Sequence, residues 1–73
     1  MKIIGIYKIE NKINGKIYVG KSVDIYKRWK RHKYDLINGI HENTYIQRSF
    51  DKYGIDNFSF EIIETYDNDD LLN

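Results

Sequence analysis

The chain contains no cysteine and no proline in its 73 residues. The missing cysteines exclude a disulfide framework and a thiolate metal site. Long apolar runs are also absent, so no stretch has the length to cross a membrane, and Lys2 is not followed by the apolar segment of an export signal. A chain this short is one domain at most, with a core too small for much spare stability. Together these absences predict a soluble, intracellular protein. What is abundant is Ile, Lys, Asn and Tyr, the usage of an AT-rich coding sequence.

Net charge is +1, but the charges are sorted by position. Residues 2 to 33 carry ten Lys or Arg against Glu10 and Asp24, a balance of +8; residues 34 to 55 sum to −1; residues 56 to 73 carry six acids and no base. The first part has the charge of a surface for a polyanion, or of a lysine-rich face that is merely solvated.

In "GIYKIENKINGKIYVG", residues 5 to 20, Gly-Ile-Tyr leads in and Tyr-Val-Gly leads out. The β-branched and aromatic runs Ile3–Glu10 and Lys16–Gly20 predict two strands, with Asn14-Gly15 as a two-residue hairpin turn. That turn sets Ile13 opposite Lys16, Asn11 opposite Tyr18 and Ile9 opposite Gly20. Ile4, Ile6, Ile17 and Val19 then share one face, expected to be the core. Gly5, Tyr7, Tyr18 and Gly20 share the other, a strip of two phenols beside two positions without side chains.

Ser22 or Asp24 is positioned to cap a helix running to about Asn38, with Gly39 as its stop. Its apolar stripe is Ile25, Trp29 and Leu36; His32 falls inside the stripe, Arg28 at its edge, and Lys27, Lys30 and Arg31 point to solvent. A second helix follows Asn43 with Ile46, Phe50 and Tyr53 inward and Gly54 at its end. "NFSFEIIE" alternates as a third strand. "DNDDLLN" reads as the first turn of a further helix, so the domain, residues 1–73, is expected to be C-terminally incomplete.

Arg28 and His32, four apart, are neighbours on one helix face. Alone, His32 reads as a buried histidine bonded to a backbone carbonyl, and Arg28 as a surface arginine laying its stem on apolar surface. Beside two tyrosines they make a set suited to phosphodiester hydrolysis: a phenol as base, a second phenol to hold it, an anion clamp and an imidazole. A bare phenol ionises near pH ~10, so such a base needs help at neutral pH.

These residues resemble the GIY-YIG endonuclease family over essentially the whole chain. Gly5-Ile6-Tyr7 matches its first element and Tyr18-Val19-Gly20 its second, with ten residues between them; the run "YVGKS", Arg28 and His32 complete the pattern. "HKYDLINGIHENTYIQRSFDKYG" is similar to the phage and intron homing-endonuclease branch and looks less like the DNA-repair branch. The resemblance implies an α+β fold, a three-stranded antiparallel sheet flanked by helices. It implies a DNA endonuclease using one divalent ion, usually Mg²⁺, in a phage-infected or bacterial cytoplasm. Tyr7 becomes the base, Tyr18 its partner, Arg28 the phosphate clamp and His32 an orienting group, with His41 as a further catalytic candidate. Gly20, Lys21, Lys27, Lys30, Arg31 and Asn43 become candidates to contact DNA, although a helix-cap role suffices for Asn43, and His41 reads equally well as a loop residue beside that cap. The glycines are expected to leave room for the scissile phosphate.

No metal ligand is assigned. The family's glutamate belongs on the helix after the third strand, and neither Glu61 nor Glu64 occupies that position. The 73 residues are therefore expected not to cleave DNA unaided, and a separate DNA-targeting domain is expected elsewhere in the protein. The competing expectations are a non-catalytic nucleic-acid-binding module and a packing module.

Overall fold

A computed structural model describes residues 2–68. The elements run β1 (Ile4–Asn11), β2 (Ile17–Ser22), α1 (Ile25–Ile37), α2 (Thr44–Tyr53), a short 3-10 turn (Ile55–Asn57) and β3 (Phe58–Tyr66). β1 is the central strand of an antiparallel sheet ordered β2-β1-β3. The expected α+β architecture is present. The helix foreseen at "DNDDLLN" lies largely outside the described residues.

The hairpin differs from the expected two-residue turn. Asn11 N–H donates to the Lys16 carbonyl, and Gly15 N–H donates to the Asn11 carbonyl. Residues 12–15 therefore form the loop, and only Gly15 takes a left-handed φ, +75°. Side chains close it: Asn11 Oδ1 accepts from Ile13 N–H and Asn14 Oδ1 from Lys16 N–H, both at 2.9 Å. These two local bonds favour a longer loop over the tight turn, in which Asn14 would also need φ > 0. The register moves by two, so Tyr7 lies opposite Gly20 and Ile9 opposite Tyr18. A two-residue shift preserves which residues share a face.

The core is on the other face from the one expected. Tyr7, Ile9 and Asn11 of β1 are buried with Ile25, Leu36, Ile46 and Phe58, whereas Val19 is 68% and Ile17 51% exposed. Both helices pack on the tyrosine face, which makes it the interior; alternation alone cannot say which of two apolar faces a helix will cover. α1 begins as foreseen, with Asp24 Oδ1 accepting from Lys27 N–H, and Ile25 N–H donating to the Ile3 carbonyl ties its first turn to the sheet. Asn43 caps α2, accepting from Tyr45 and Ile46 N–H. β3 pairs through a bulge opposite Ile6 and Tyr7 and continues to Tyr66.

Candidate active site

α1 crosses the tyrosine face so that His32 meets Tyr7: the phenol oxygen lies 2.6 Å from His32 Nε2. His32 Nδ1 lies 2.7 Å from Nε2 of His41, on the loop before α2. Asn43 N–H donates to His41 Nδ1 at 3.0 Å. These three contacts give the chain a direction. A ring nitrogen that accepts from a backbone N–H carries no proton, so the His41 proton is on Nε2 and is donated to His32 Nδ1. His32 then carries its proton on Nε2 and donates to Tyr7. Burial first, then the nearness of His41 and of the Arg28 guanidinium, which disfavour a positive charge on the ring, lower the His32 pKa to about 4, consistent with a neutral ring. His32 is thus bonded to side chains on both nitrogens rather than to a backbone carbonyl.

Tyr7 is 3% exposed and held from several sides. Trp29 meets its ring edge-on at 6.1 Å. Across the hairpin, a Cβ placed on Gly20 would stand 2.5 Å from Tyr7 Cζ and Oη. Gly20 therefore makes room for the phenol of Tyr7, and Gly5 for the β3 backbone, where a Cβ would lie 2.0 Å from the Glu64 carbonyl oxygen. The expected vacancy for a phosphate beside these glycines is filled by the protein itself. The open space is instead a cleft of about 250 Å³ whose lining includes Tyr7, Tyr18, Gly20, Arg28, His32 and His41. Arg28 is exposed, with no ion pair among the described residues, and also borders the two neighbouring clefts.

Residues 3–72 match the model of the GIY-YIG catalytic domain. The chain belongs to the GIY-YIG family. Over 50 residues it is 54% identical to intron-associated endonuclease 1 of enterobacteria phage T4, a stretch covering 68% of this chain and 20% of that protein. It is similar in structure to the catalytic domain of the homing endonuclease I-TevI, with TM-score 0.84 and 45% identity, covering 93% of this chain and 74% of that one. A mutant form of the I-TevI catalytic domain matches at TM-score 0.86 and 44% identity, over 96% of this chain and 71% of that one. The chain thus spans about one fifth of the phage relative's length.

Within this GIY-YIG domain the structure gathers Tyr7, Tyr18, Gly20, Arg28, His32, His41 and Asn43 around one cleft. The other basic candidates do not line that cleft. Lys21 lies on the far face of β2, alternating with Gly20. Lys30 is about 160° around α1 from Arg28, at about 100° per residue. Arg31 Nε is held by Asp35 at 3.1 Å, and Lys27 and Arg31 line, together with Arg28, the neighbouring cleft that Lys2 and Asp24 also border.

Sequence reasoning missed Gln47 and Glu42. Gln47 is buried; its Nε2 donates to the Leu36 carbonyl and to Asp51 Oδ1, and its Oε1 accepts from His41 N–H at 3.0 Å. One side chain thereby ties both helices to the His41 loop. Its only signal was a polar residue beside Ile46 and Phe50 on the inner arc of α2. Glu42 brings a carboxylate to the cleft.

GIY-YIG nucleases work with a divalent metal. Among the described residues no group of three or more His, Cys, Asp or Glu is arranged to hold one. Glu61 Oε2 lies 3.6 Å from Lys8 Nζ, and Glu64 accepts from the Tyr66 hydroxyl, both on the sheet face away from Tyr7. The residues described do not assemble the metal site. Also among them, no helix is long and apolar enough to cross a membrane.

Proposed function

We propose that this chain is the catalytic domain of a DNA endonuclease that hydrolyses phosphodiester bonds, with Tyr7 as general base. What supports this reading above all is the directed contact from His32 Nε2 to the Tyr7 oxygen at 2.6 Å, in a cleft that Arg28 also lines. Because His32 donates, negative charge on the phenol oxygen is stabilised, and the hydroxyl hydrogen of Tyr7 is directed elsewhere. Once the Tyr7 hydroxyl has released that hydrogen to solvent, the phenolate so stabilised takes a proton from water held in the cleft as the water oxygen attacks phosphorus, with Tyr18 positioning that water or Tyr7. Arg28 stabilises the charge that builds on the phosphoryl oxygens. His41 acts one step back, holding His32 in the donating tautomer. A module that only binds nucleic acid has no need of such a chain of proton donors.

Mg²⁺ is the ion we assign to the reaction, for the Lewis acidity it supplies. The described residues do not assemble its site, and the 73 residues alone are expected not to cleave DNA. The reading also places the protein in the cytoplasm, with a separate domain choosing the DNA target.

The test is Arg28→Ala in the full polypeptide carrying this domain. Single-turnover cleavage of duplex DNA should fall by two orders of magnitude or more, a loss of ~3 kcal/mol in transition-state stabilisation, while DNA affinity changes far less. An equal, modest fall in both would reduce Arg28 to a plain phosphate contact.

A further inference from the structure

Beyond the catalytic cleft, on the other side of Tyr18, lies a second cleft of about 270 Å³ lined by Asn14, Lys16, Tyr18, Tyr45, Arg48, Ser49, Lys52 and Tyr53. Three cations and no carboxylate line it. The one acid of α2, Asp51, is turned away and accepts from Gln47 instead. Arg48 and Lys52 stand four apart on the helix, a like-charge pair that destabilises an isolated helix until an anion separates it. Neither they nor Lys16 make an ion pair among the described residues, in contrast to Lys8 and Arg31, which do. Tyr45, at the rim, is 73% exposed. Tyr18 belongs to the walls of both clefts, so the basic cleft continues the catalytic one.

We propose that Lys16, Arg48 and Lys52 bind the phosphate backbone of the DNA strand where it runs on past the scissile position, with Tyr45 laid against a sugar or base. A duplex carries phosphates in close succession along its axis, so a strand with one phosphate at Arg28 must put others along the adjoining wall. The cations then fix the register of the strand on Tyr7, without reading its sequence. The exposed tyrosine adds contact area that no salt screens. This assignment rests on DNA being the substrate, and it moves the backbone track from the outer face of α1, where the sequence concentrates charge, to the junction of β2 and α2.

The experiment measures the affinity of the full polypeptide for duplex DNA from about 50 to 200 mM salt, by fluorescence anisotropy. Two charge-matched double variants are compared: Arg48→Gln/Lys52→Gln, and Lys8→Gln/Lys33→Gln on surfaces facing away from the clefts. The first should lower the slope of log K against log salt by about 2, one for each lost contact, and the second should leave it unchanged. Tyr45→Ala should weaken binding several-fold at an unchanged slope. Equal slopes for the two double variants, with melting temperatures preserved, would overturn the site. Loss of slope in the first variant from a protein that never cleaves DNA would keep this site and remove the nuclease reading. No salt-dependent binding by the unsubstituted protein would remove both.

Discussion

A methyl group at Gly20 would stand 2.5 Å from the hydroxyl end of Tyr7, and a rigid, buried ring has nowhere near to go. Gly20→Ala should therefore move the phenol off His32. A displacement of the order of 1 Å is enough to cost about 100-fold, so cleavage should fall by that factor or more. Tyr7→Phe should match it in activity while keeping the ring packing, and melting curves on both variants separate the causes: Gly20→Ala is expected to lower stability and Tyr7→Phe to leave it nearly unchanged. His32 makes a separate, pH-dependent prediction. Its pKa is lowered to about 4 by burial and neighbouring positive charge, whereas in the unfolded chain it ionises near 6.5. Between those values the unfolded chain binds the extra proton, so stability is complete above about pH 6.5 and declines as pH falls towards 4. The ring is half-buried, and after allowance for solvent screening the loss is of order 1 kcal/mol. Thermal melts at several pH values should show a shallower acid slope in His32→Gln than in the unsubstituted chain; identical slopes would remove His32 as the source.

α1 and α2 share few contacts of their own, and the joint between them depends on Gln47. Its amide satisfies the Leu36 carbonyl at the end of α1, while its oxygen holds the His41 backbone. Gln47→Leu keeps the volume and removes both bonds; the Leu36 carbonyl keeps the Gly39 N–H, but the His41 N–H is left without its acceptor, at about 1–3 kcal/mol. Chemical denaturation should register a loss of roughly 1–3 kcal/mol on that basis. Cleavage should fall as well, because His41 loses its backbone anchor. If stability drops while cleavage measured on the folded fraction is unchanged, His41 is held by Asn43 alone. The loop between the helices thus holds His41 against His32, although as sequence it looks like a connection.

At the scale of the whole fold, the described helices cover the sheet on one side. The far side carries Ile17, Val19 and Ile63 in exposed positions beside the Lys8 pairs with Glu10 and Glu61. Two substitutions distinguish the sides. Val19→Ser, at a position 68% exposed, should cost less than about 1 kcal/mol, while Ile9→Ala, at 2%, should cost about 2–5 kcal/mol through lost burial and the cavity left behind. Similar losses at both positions, read from denaturation midpoints, would restore the aliphatic face as the core. The same one-sidedness explains the fate of the basic residues. Ten cations concentrated in residues 2–33 look like one patch in the sequence, but the sheet and helix divide them among the site wall, the far face and the back of α1.

The sequence by itself determined whatever depends on neighbours in the chain. The strand alternation, the Asp24 and Asn43 caps, the stops at Gly39 and Gly54, and the spacing of Tyr7, Tyr18, Arg28 and His32 are local, and the structure keeps them. The hairpin register is local as well, but two Asn side-chain bonds to N–H groups two residues on outweigh the tight turn that Asn14-Gly15 suggests. Tertiary structure decided what depends on distant groups. It placed the helices on the tyrosine face rather than the aliphatic one, since both faces are apolar enough to be covered. It gave the glycines to Tyr7 and to the β3 backbone. Above all it ordered the line from Asn43 N–H through His41 and His32 to Tyr7, whose direction exists only once the loop before α2 is folded against α1. A hydrogen bond's direction is set by the proton at its far end, and here that proton belongs to a backbone amide 36 residues from the phenol.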